Sequence, residues 1–233
     1  MRKADTATLG LVAGLGVGAG IFYYRSLVRA HLAHGLSPSL IMVHADVRKV
    51  MSLAASREIR QLADYLAGLL RQLAGGGAQI GVIPAFSPQV CAQELADMSP
   101  LPLISLLDAI VDEIKRRQLS RVAVFGARVT METGLFGRLQ NCLDLIYPQP
   151  AEVDQISDIY GKIVEHEQAS AEEFDVLRSL AHTITDREHL DAIVLAGTDF
   201  AFVFRPENTD FPHLDGARTH IDTIMQALVG EGQ

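Results

Sequence analysis

The feature that most constrains the fold is a series of short apolar segments that alternate with amphipathic ones. The apolar segments have the length of buried strands, and the segments between them have apolar residues at helical spacing. This alternation favours mostly parallel sheets with helices packed on their faces. The predicted strands are Thr8–Ala13, Leu40–His44, Gln79–Pro84, Arg121–Phe125, Leu143–Tyr147 and Ala192–Ala196. The predicted helices are Tyr23–Ala33, Ser56–Leu73, Leu106–Arg117 and Ala171–His182.

A break near Met98–Pro102, in the stretch SPLPL, separates the six strands into two sets of three. A chain of 233 residues that is 48% hydrophobic can bury either one large core or two small ones. We therefore predict an α/β protein with two pseudo-symmetric lobes, each with a mostly parallel sheet flanked by helices. The N-terminal lobe is expected to comprise residues 1–100 plus 206–233, and the C-terminal lobe residues 101–205.

The N-terminus could be mistaken for a signal peptide or a short membrane span, because Met-Arg-Lys precedes the apolar run Ala7–Tyr24. That run contains glycines at positions 10, 14, 16, 18 and 20, which suit a strand and a tight loop better than a stable helix. It also lacks a small-residue cleavage site before a polar mature start. We predict that Thr8–Ala13 is a central strand and that the chain has no stable membrane insertion.

Charge and cysteine content exclude several other classes of function. The formal net charge of -8 gives no broad basic field, so a nucleic-acid partner is not expected. The two cysteines, Cys91 and Cys142, have neither a metal-ligand spacing nor the number that a secreted disulfide framework needs. The histidines are scattered and form no zinc motif. We expect a protein of the reducing cytoplasm without a metal site.

One alternative comes from the glycine loop itself. Gly14, Gly16 and Ala19 fit the pattern G-x-G-x-x-G/A after a strand, and Asp46 follows the next predicted strand. A nicotinamide-binding oxidoreductase would use these residues for the pyrophosphate and a ribose hydroxyl. The acidic residue lies nearer thirty than twenty residues beyond the glycines, which weakens this interpretation.

Four segments in order along the chain resemble the aspartate/glutamate racemase family of cofactor-independent amino-acid racemases. They are GLVAGLGVGAGIFYYR, GVIPAFSPQV, VAVFGARVTMETGLF and DAIVLAGTDFAFVF. The resemblance covers nearly the whole chain. It implies two pseudo-symmetric α/β lobes, a small carboxylate or amino acid held in the cleft between them, no pyridoxal phosphate or other cofactor, and a possible homodimer.

Family members exchange the substrate's α-proton with two opposed thiols, one from each lobe. The first usually lies in a Pro-Cys-Asn-Thr loop and the second in a Gly-Cys-Thr-Glu loop. Here the corresponding loops read Pro84-Ala85-Phe86-Ser87 and Ala196-Gly197-Thr198-Asp199. The resemblance therefore assigns the two thiol positions to Ala85 and Gly197, and neither residue can accept or donate the proton.

Other side chains are candidates for the site. His44, at the end of a predicted strand, could act as a base, and Asp199 stands where the family has a glutamate. Each also has a purely structural interpretation, as a hydrogen-bonded strand-end histidine and as a helix cap. The candidates for holding a ligand carboxylate are Arg48, Ser87, Thr130 and Thr198.

Two hypotheses remain open at this point. The first is a non-thiol racemase or isomerase that uses His44 or Asp199. The second is a non-enzymatic member that binds a carboxylate ligand or acts as a structural partner.

Overall fold

The computed structural model describes residues 7–140 and 143–230, which form two compact units. The first comprises the described residues up to Leu106 together with those from His220 onward, and the second comprises Leu107–Thr219. The sequence placed these divisions at 100/101 and 205/206. The later second division has a physical reason, because a strand that the sequence analysis did not predict, His213–Asp215, pairs with the sheet of the second unit.

The first unit has a three-stranded parallel sheet in the order β2-β1-β3. Its central strand β1 is buried throughout, and Leu9 lies opposite Leu40 on one side and Ile80 on the other. The elements are β1 (Leu9–Ala13), α1 (Val17–Ala33), β2 (Leu40–His44), α2 (Val47–Ala55), α3 (Ile59–Gly75), β3 (Ile80–Val82), a 3-10 helix (Ser87–Cys91) and α4 (Ala92–Met98).

Helix α1 begins at Val17, six residues before the predicted start, so the prediction that Gly18 and Gly20 belong to a loop was wrong. The reason is close packing of the helix on β1. A β-carbon added to Gly20 would lie 3.3 Å from the β-carbon of Ala13, so glycine lets the helix approach the strand. The loop itself is confined to residues 14–16, where Gly14 has a φ of 86°.

Helices α3 and α2 of the first unit are held by burial and by an N-terminal cap, respectively. The apolar face of α3, including Leu62, Leu66 and Leu70, is fully buried in the core. Helix α2, which the sequence analysis did not predict, begins after Asp46, whose Oδ1 accepts hydrogen bonds from the backbone N–H groups of Arg48 and Lys49.

A buried hydrogen-bonded chain ties the C-terminal residues to the first unit. The Nε2–H of His220 donates to the carbonyl of Ile104 over 2.9 Å, and Nδ1 then accepts from the Tyr23 hydroxyl over 3.1 Å. Burial lowers the pKa of His220 to about 4, so the ring is neutral at physiological pH.

The second unit has a four-stranded parallel sheet in the order β5-β4-β6-β7. Both sheets are thus parallel and flanked by helices, in agreement with the predicted fold class. The elements are α5 (Leu106–Arg116), β4 (Arg121–Gly126), α6 (Arg128–Glu132), β5 (Asp144–Ile146), α7 (Pro150–His166), α8 (Ala171–Glu188), β6 (Ala192–Ala196), α9 (Phe200–Val203), β7 (His213–Asp215) and α10 (Gly216–Gly230), which from His220 onward belongs to the first unit.

Helix α7 is the largest element that the sequence analysis missed. It starts with a reciprocal cap, because the Gln149 side chain accepts from the backbone of Glu152 while the Glu152 carboxylate accepts from Gln149 N–H over 2.7 Å. Its buried face includes Val153, Ile156 and Ile163, at the spacing of an amphipathic helix.

Among the helices of residues 7–140 and 143–230, none combines the length and apolarity that a bilayer crossing requires.

Candidate functional site

The loop after β3 in the first unit is closed on itself. Ala85 is only 5% exposed, and Gln89 Nε2 donates to the carbonyls of Ala85 and Ile83 over 3.0 and 3.4 Å. Ser87 is partly buried and begins the short 3-10 helix. Ala85 is therefore a small side chain in a loop whose backbone is held by its own neighbours.

Two predicted site residues of the first unit lie at the end of β2, on the other side of β1 from β3. His44 is the last residue of β2, Arg48 follows it on α2, and both are exposed. The His44 ring packs beside the glycine loop, since a β-carbon on Gly14 would lie 2.8 Å from His44 Cε1. Arg48 is the second residue of α2. In the described part of the chain, no hydrogen bond or ion pair joins either side chain to Ser87.

At the corresponding strand end of the second unit, the backbone of Gly197 lies against an aromatic ring. A β-carbon added to Gly197 would lie 2.3 Å from Cε2 of Tyr160, 2.6 Å from Cζ and 2.9 Å from the hydroxyl oxygen. Real β-carbons do not approach other heavy atoms so closely. Tyr160, on α7, therefore occupies the space into which a side chain at position 197 would project.

The Tyr160 hydroxyl donates to Oδ2 of Asp199 over 3.4 Å. Asp199 and Thr198 are both 2% exposed, and the Tyr160 residue as a whole is half-buried. Burial and the neighbouring Asp199 carboxylate raise the pKa of Tyr160 well above its usual value. The phenol is consequently protonated, and acts as a hydrogen-bond donor rather than as a base.

Thr130 lies on α6, the short helix that follows the neighbouring strand β4. Its side chain is fully buried, and its hydroxyl has no hydrogen-bond partner in the described part of the chain. The ends of β4 and β6 are in close contact, because a β-carbon on Gly126 would lie 2.5 Å from the carbonyl oxygen of Ala196. Thr130, Thr198 and Asp199 thus belong to adjacent strand ends of one unit, whereas His44, Arg48 and Ser87 belong to the other.

Among the described residues, Cys91 does not supply an activated thiol. Cys91 is buried, its Sγ–H donates to the carbonyl of Pro88 over 3.1 Å, and burial raises its pKa to about 12. Cys142 lies outside the described residues. Across residues 7–140 and 143–230, no three His, Cys, Asp or Glu side chains are grouped so that they could hold a metal ion.

Known proteins with a similar sequence and a similar fold indicate the family of this chain. The sequence profile of the Asp/Glu/Hydantoin racemase family matches residues 12–224. The chain belongs to this family. The resemblance predicted from the four sequence segments is therefore confirmed, and the match extends over most of both units.

Solved structures of racemases share the fold. A candidate Asp/Glu racemase from Yersinia pestis has a TM-score of 0.83 and 21% identity, covering 96% of this chain and 99% of its own. An aspartate racemase homologue from Pyrococcus horikoshii has a TM-score of 0.78 and 16% identity, covering 95% of this chain and 99% of its own. Glutamate racemase from Francisella tularensis, solved with D-glutamate, has a TM-score of 0.70 and 13% identity, covering 97% of this chain and 82% of its own.

Within this racemase fold, Tyr160 is the residue that sequence reasoning missed. The stretch Gln149-Pro150-Ala151-Glu152 carries a helix-start signal that could have revealed α7. No signal in the sequence, however, indicates that the third turn of that helix rests on Gly197, because this contact joins residues 37 positions apart.

Proposed function

We propose that this racemase-family chain binds a small carboxylate or an amino acid and does not racemise it by the two-thiol mechanism. The resemblance assigns the two acid–base positions to Ala85 and Gly197, which carry no ionisable group. Racemisation needs a proton acceptor on one face of the α-carbon and a proton donor on the other. The observation that carries the proposal is the Tyr160 ring on Gly197, because it fills the space that a second thiol would need.

Hydroxyl groups in the second unit support a binding role for the same strand ends. Thr198 is almost fully buried, and the Thr130 hydroxyl is buried with no hydrogen-bond partner in the described ranges. Such hydroxyls can donate to a carboxylate, and a ligand oxygen would offset the cost of leaving the Thr130 hydroxyl unbonded. Arg48 and Ser87 of the first unit, and a cleft between the lobes, stay predictions.

A second candidate function is a non-thiol isomerase that uses Asp199, with His44 as the other predicted base. The hydrogen bond from the Tyr160 phenol to the Asp199 carboxylate favours this alternative, because it would hold the carboxylate in place as one base. The nicotinamide-binding alternative has less support. Asp46 Oδ1 already accepts two backbone N–H groups at the start of α2.

The test of the proposed function is a thermal-stabilisation screen of the intact protein with both enantiomers of aspartate and glutamate, and with malate and succinate. A ligand that binds only the folded state at 100 times its dissociation constant adds about 2.7 kcal/mol of stability. We expect at least one compound to raise Tm, and Thr198→Val to reduce that shift. Thr183→Val, on the exposed surface of α8, is the matched control. The absence of any shift at millimolar concentrations would contradict the proposal.

Cytoplasmic localisation and a homodimer also stay predictions. Size-exclusion chromatography with light scattering would decide the second, since a dimer has twice the 25.3 kDa mass of the chain.

A further inference from the structure

We propose that Tyr160 stands in for a side chain at position 197 and presents its hydroxyl, in place of a thiol, to a ligand oxygen. The first part of this inference concerns how the second unit is packed. The second part rests on the proposed function, because it names a contact of the carboxylate ligand.

The packing argument starts from the distances at Gly197. The three nearest atoms to a β-carbon there, Cε2, Cζ and the hydroxyl oxygen, all belong to Tyr160 and all lie within 2.9 Å. The residue at position 197 is therefore small because the phenol end of a neighbouring side chain occupies its side-chain space. Phe200 fixes that ring from a second direction, since the two ring centroids are 4.8 Å apart.

The hydrogen-bonding argument concerns what the phenol can still do. Its bond to Asp199 Oδ2 is 3.4 Å long, whereas a well-formed O–H···O bond measures about 2.5 to 3.0 Å. A ligand oxygen at ordinary distance would thus be a better acceptor for the same proton. The phenol lies in a buried environment, which raises its pKa and keeps the proton in place.

The charge state also limits the role of this hydroxyl. A protonated phenol donates to a carboxylate oxygen but does not abstract an α-proton at neutral pH. Tyr160 is accordingly a binding and specificity-determining residue for an oxygen-bearing ligand. It does not take over the proton abstraction that a thiol performs in racemases of this family.

The packing part is tested by a double-mutant cycle of Gly197→Ala, Tyr160→Ala and the double variant, measured as thermal midpoints. Gly197→Ala alone should lower Tm by about 2 to 8 °C, as expected for a loss of 1 to 2 kcal/mol in a chain of this size. In the Tyr160→Ala background, the same change should have almost no effect. Gly161→Ala is the matched control, since a β-carbon there meets nothing within 4 Å. Equal effects of Gly197→Ala in both backgrounds would overturn the inference, and a double variant that folds where Gly197→Ala does not would support it.

The ligand part is tested by Tyr160→Phe, which keeps the ring on Gly197 and removes only the hydroxyl. Titration calorimetry would use the compound with the largest shift among aspartate, glutamate, malate and succinate. We expect Kd to rise tenfold or more, as for loss of a hydrogen bond worth about 1.5 kcal/mol to a charged group. The variant also loses the long hydrogen bond to the buried Asp199 carboxylate, so we expect a modest fall in Tm as well. Tyr147→Phe, at an exposed tyrosine of the same unit, is the control.

An unchanged Kd for Tyr160→Phe would overturn the ligand part while leaving the proposed function in place. If the unmodified protein bound none of these compounds, the proposed function would fail together with the ligand part. The double-mutant cycle would still decide the packing part, because that measurement involves no ligand.

Discussion

The two strand-end loops of this protein place a small residue at the assigned thiol position in different ways. In the first unit, Ala85 keeps a β-carbon, and Gln89 holds the surrounding backbone carbonyls. In the second unit, position 197 has no β-carbon, and Tyr160 from a separate helix occupies the space. The first loop is thus held by its own backbone contacts, whereas the second is packed against a residue of another helix. This difference predicts that a thiol could be restored at one position but not at the other.

The largest expected effect comes from restoring each thiol separately. Gly197→Cys should destabilise the protein by roughly 3 kcal/mol, because the β-carbon and sulfur would overlap the Tyr160 ring. Ala85→Cys adds a single sulfur to an existing β-carbon and should cost less, about 1 kcal/mol. Urea unfolding of both variants measures these free energies. Equal losses of unfolding free energy in the two variants would contradict the difference between the two loops.

A smaller effect is a loss of stability at acid pH, which we expect in the first unit because it contains the buried His220. His220 in the first unit has a folded-state pKa of about 4, against 6.5 for the ordinary group. Between these values the unfolded chain binds more protons than the folded one, so stability is full above pH 6.5 and falls as the pH drops towards 4. At pH 5 the loss amounts to about 2 kcal/mol.

Urea unfolding at pH 7 and pH 5 measures this loss, and His220→Gln should remove most of it. Hydrogen exchange then assigns it to a unit. Protection of β1 should fall more than protection of β4, because Glu113 in the second unit, with a pKa lowered to about 2 by Arg116, stays ionised at pH 5. A larger loss in β4 would contradict this assignment.

The smallest expected effect concerns Asp46 in the first unit. Asp46→Ala removes the acceptor for two backbone N–H groups and should cost about 1 kcal/mol in unfolding free energy. Arg48→Ala, two residues along the same helix, should change stability by less than about 0.5 kcal/mol because it is exposed. If Asp46→Ala were neutral, the capping role would be wrong and the nicotinamide alternative would regain support.

Much of the fold could be predicted because its signals are local. The strands Leu40–His44 and Ala192–Ala196 have the predicted bounds, since continuous apolar runs identify parallel strands. Only the second is buried throughout, because Leu40–His44 lies at the edge of its sheet. The start of α1 could not be predicted, because glycine propensity points away from a helix while packing on Ala13 favours one. Strand His213–Asp215 is three residues long and is stabilised by pairing with β6, which no local pattern reveals.

The site was less predictable for the same reason. Ala85, Gly197, Thr198 and Asp199 could be singled out because they lie in short ordered motifs. Tyr160 could not, since its relation to Gly197 exists only after α7 packs on the strand ends. A substitution that removes a side chain is visible in a sequence, but the neighbour that fills its space is not.

The most direct test of the central claim is exchange of the α-hydrogen of aspartate and glutamate in deuterated water. Proton NMR of each enantiomer with the unmodified protein follows the α-hydrogen signal, and even one competent base would reduce it without full inversion. We expect the signal to persist as in a protein-free sample, with Thr198-dependent binding detected on the same preparation. Rapid loss of the signal, abolished by Asp199→Asn or His44→Ala with folding intact, would contradict the account and establish a non-thiol enzyme.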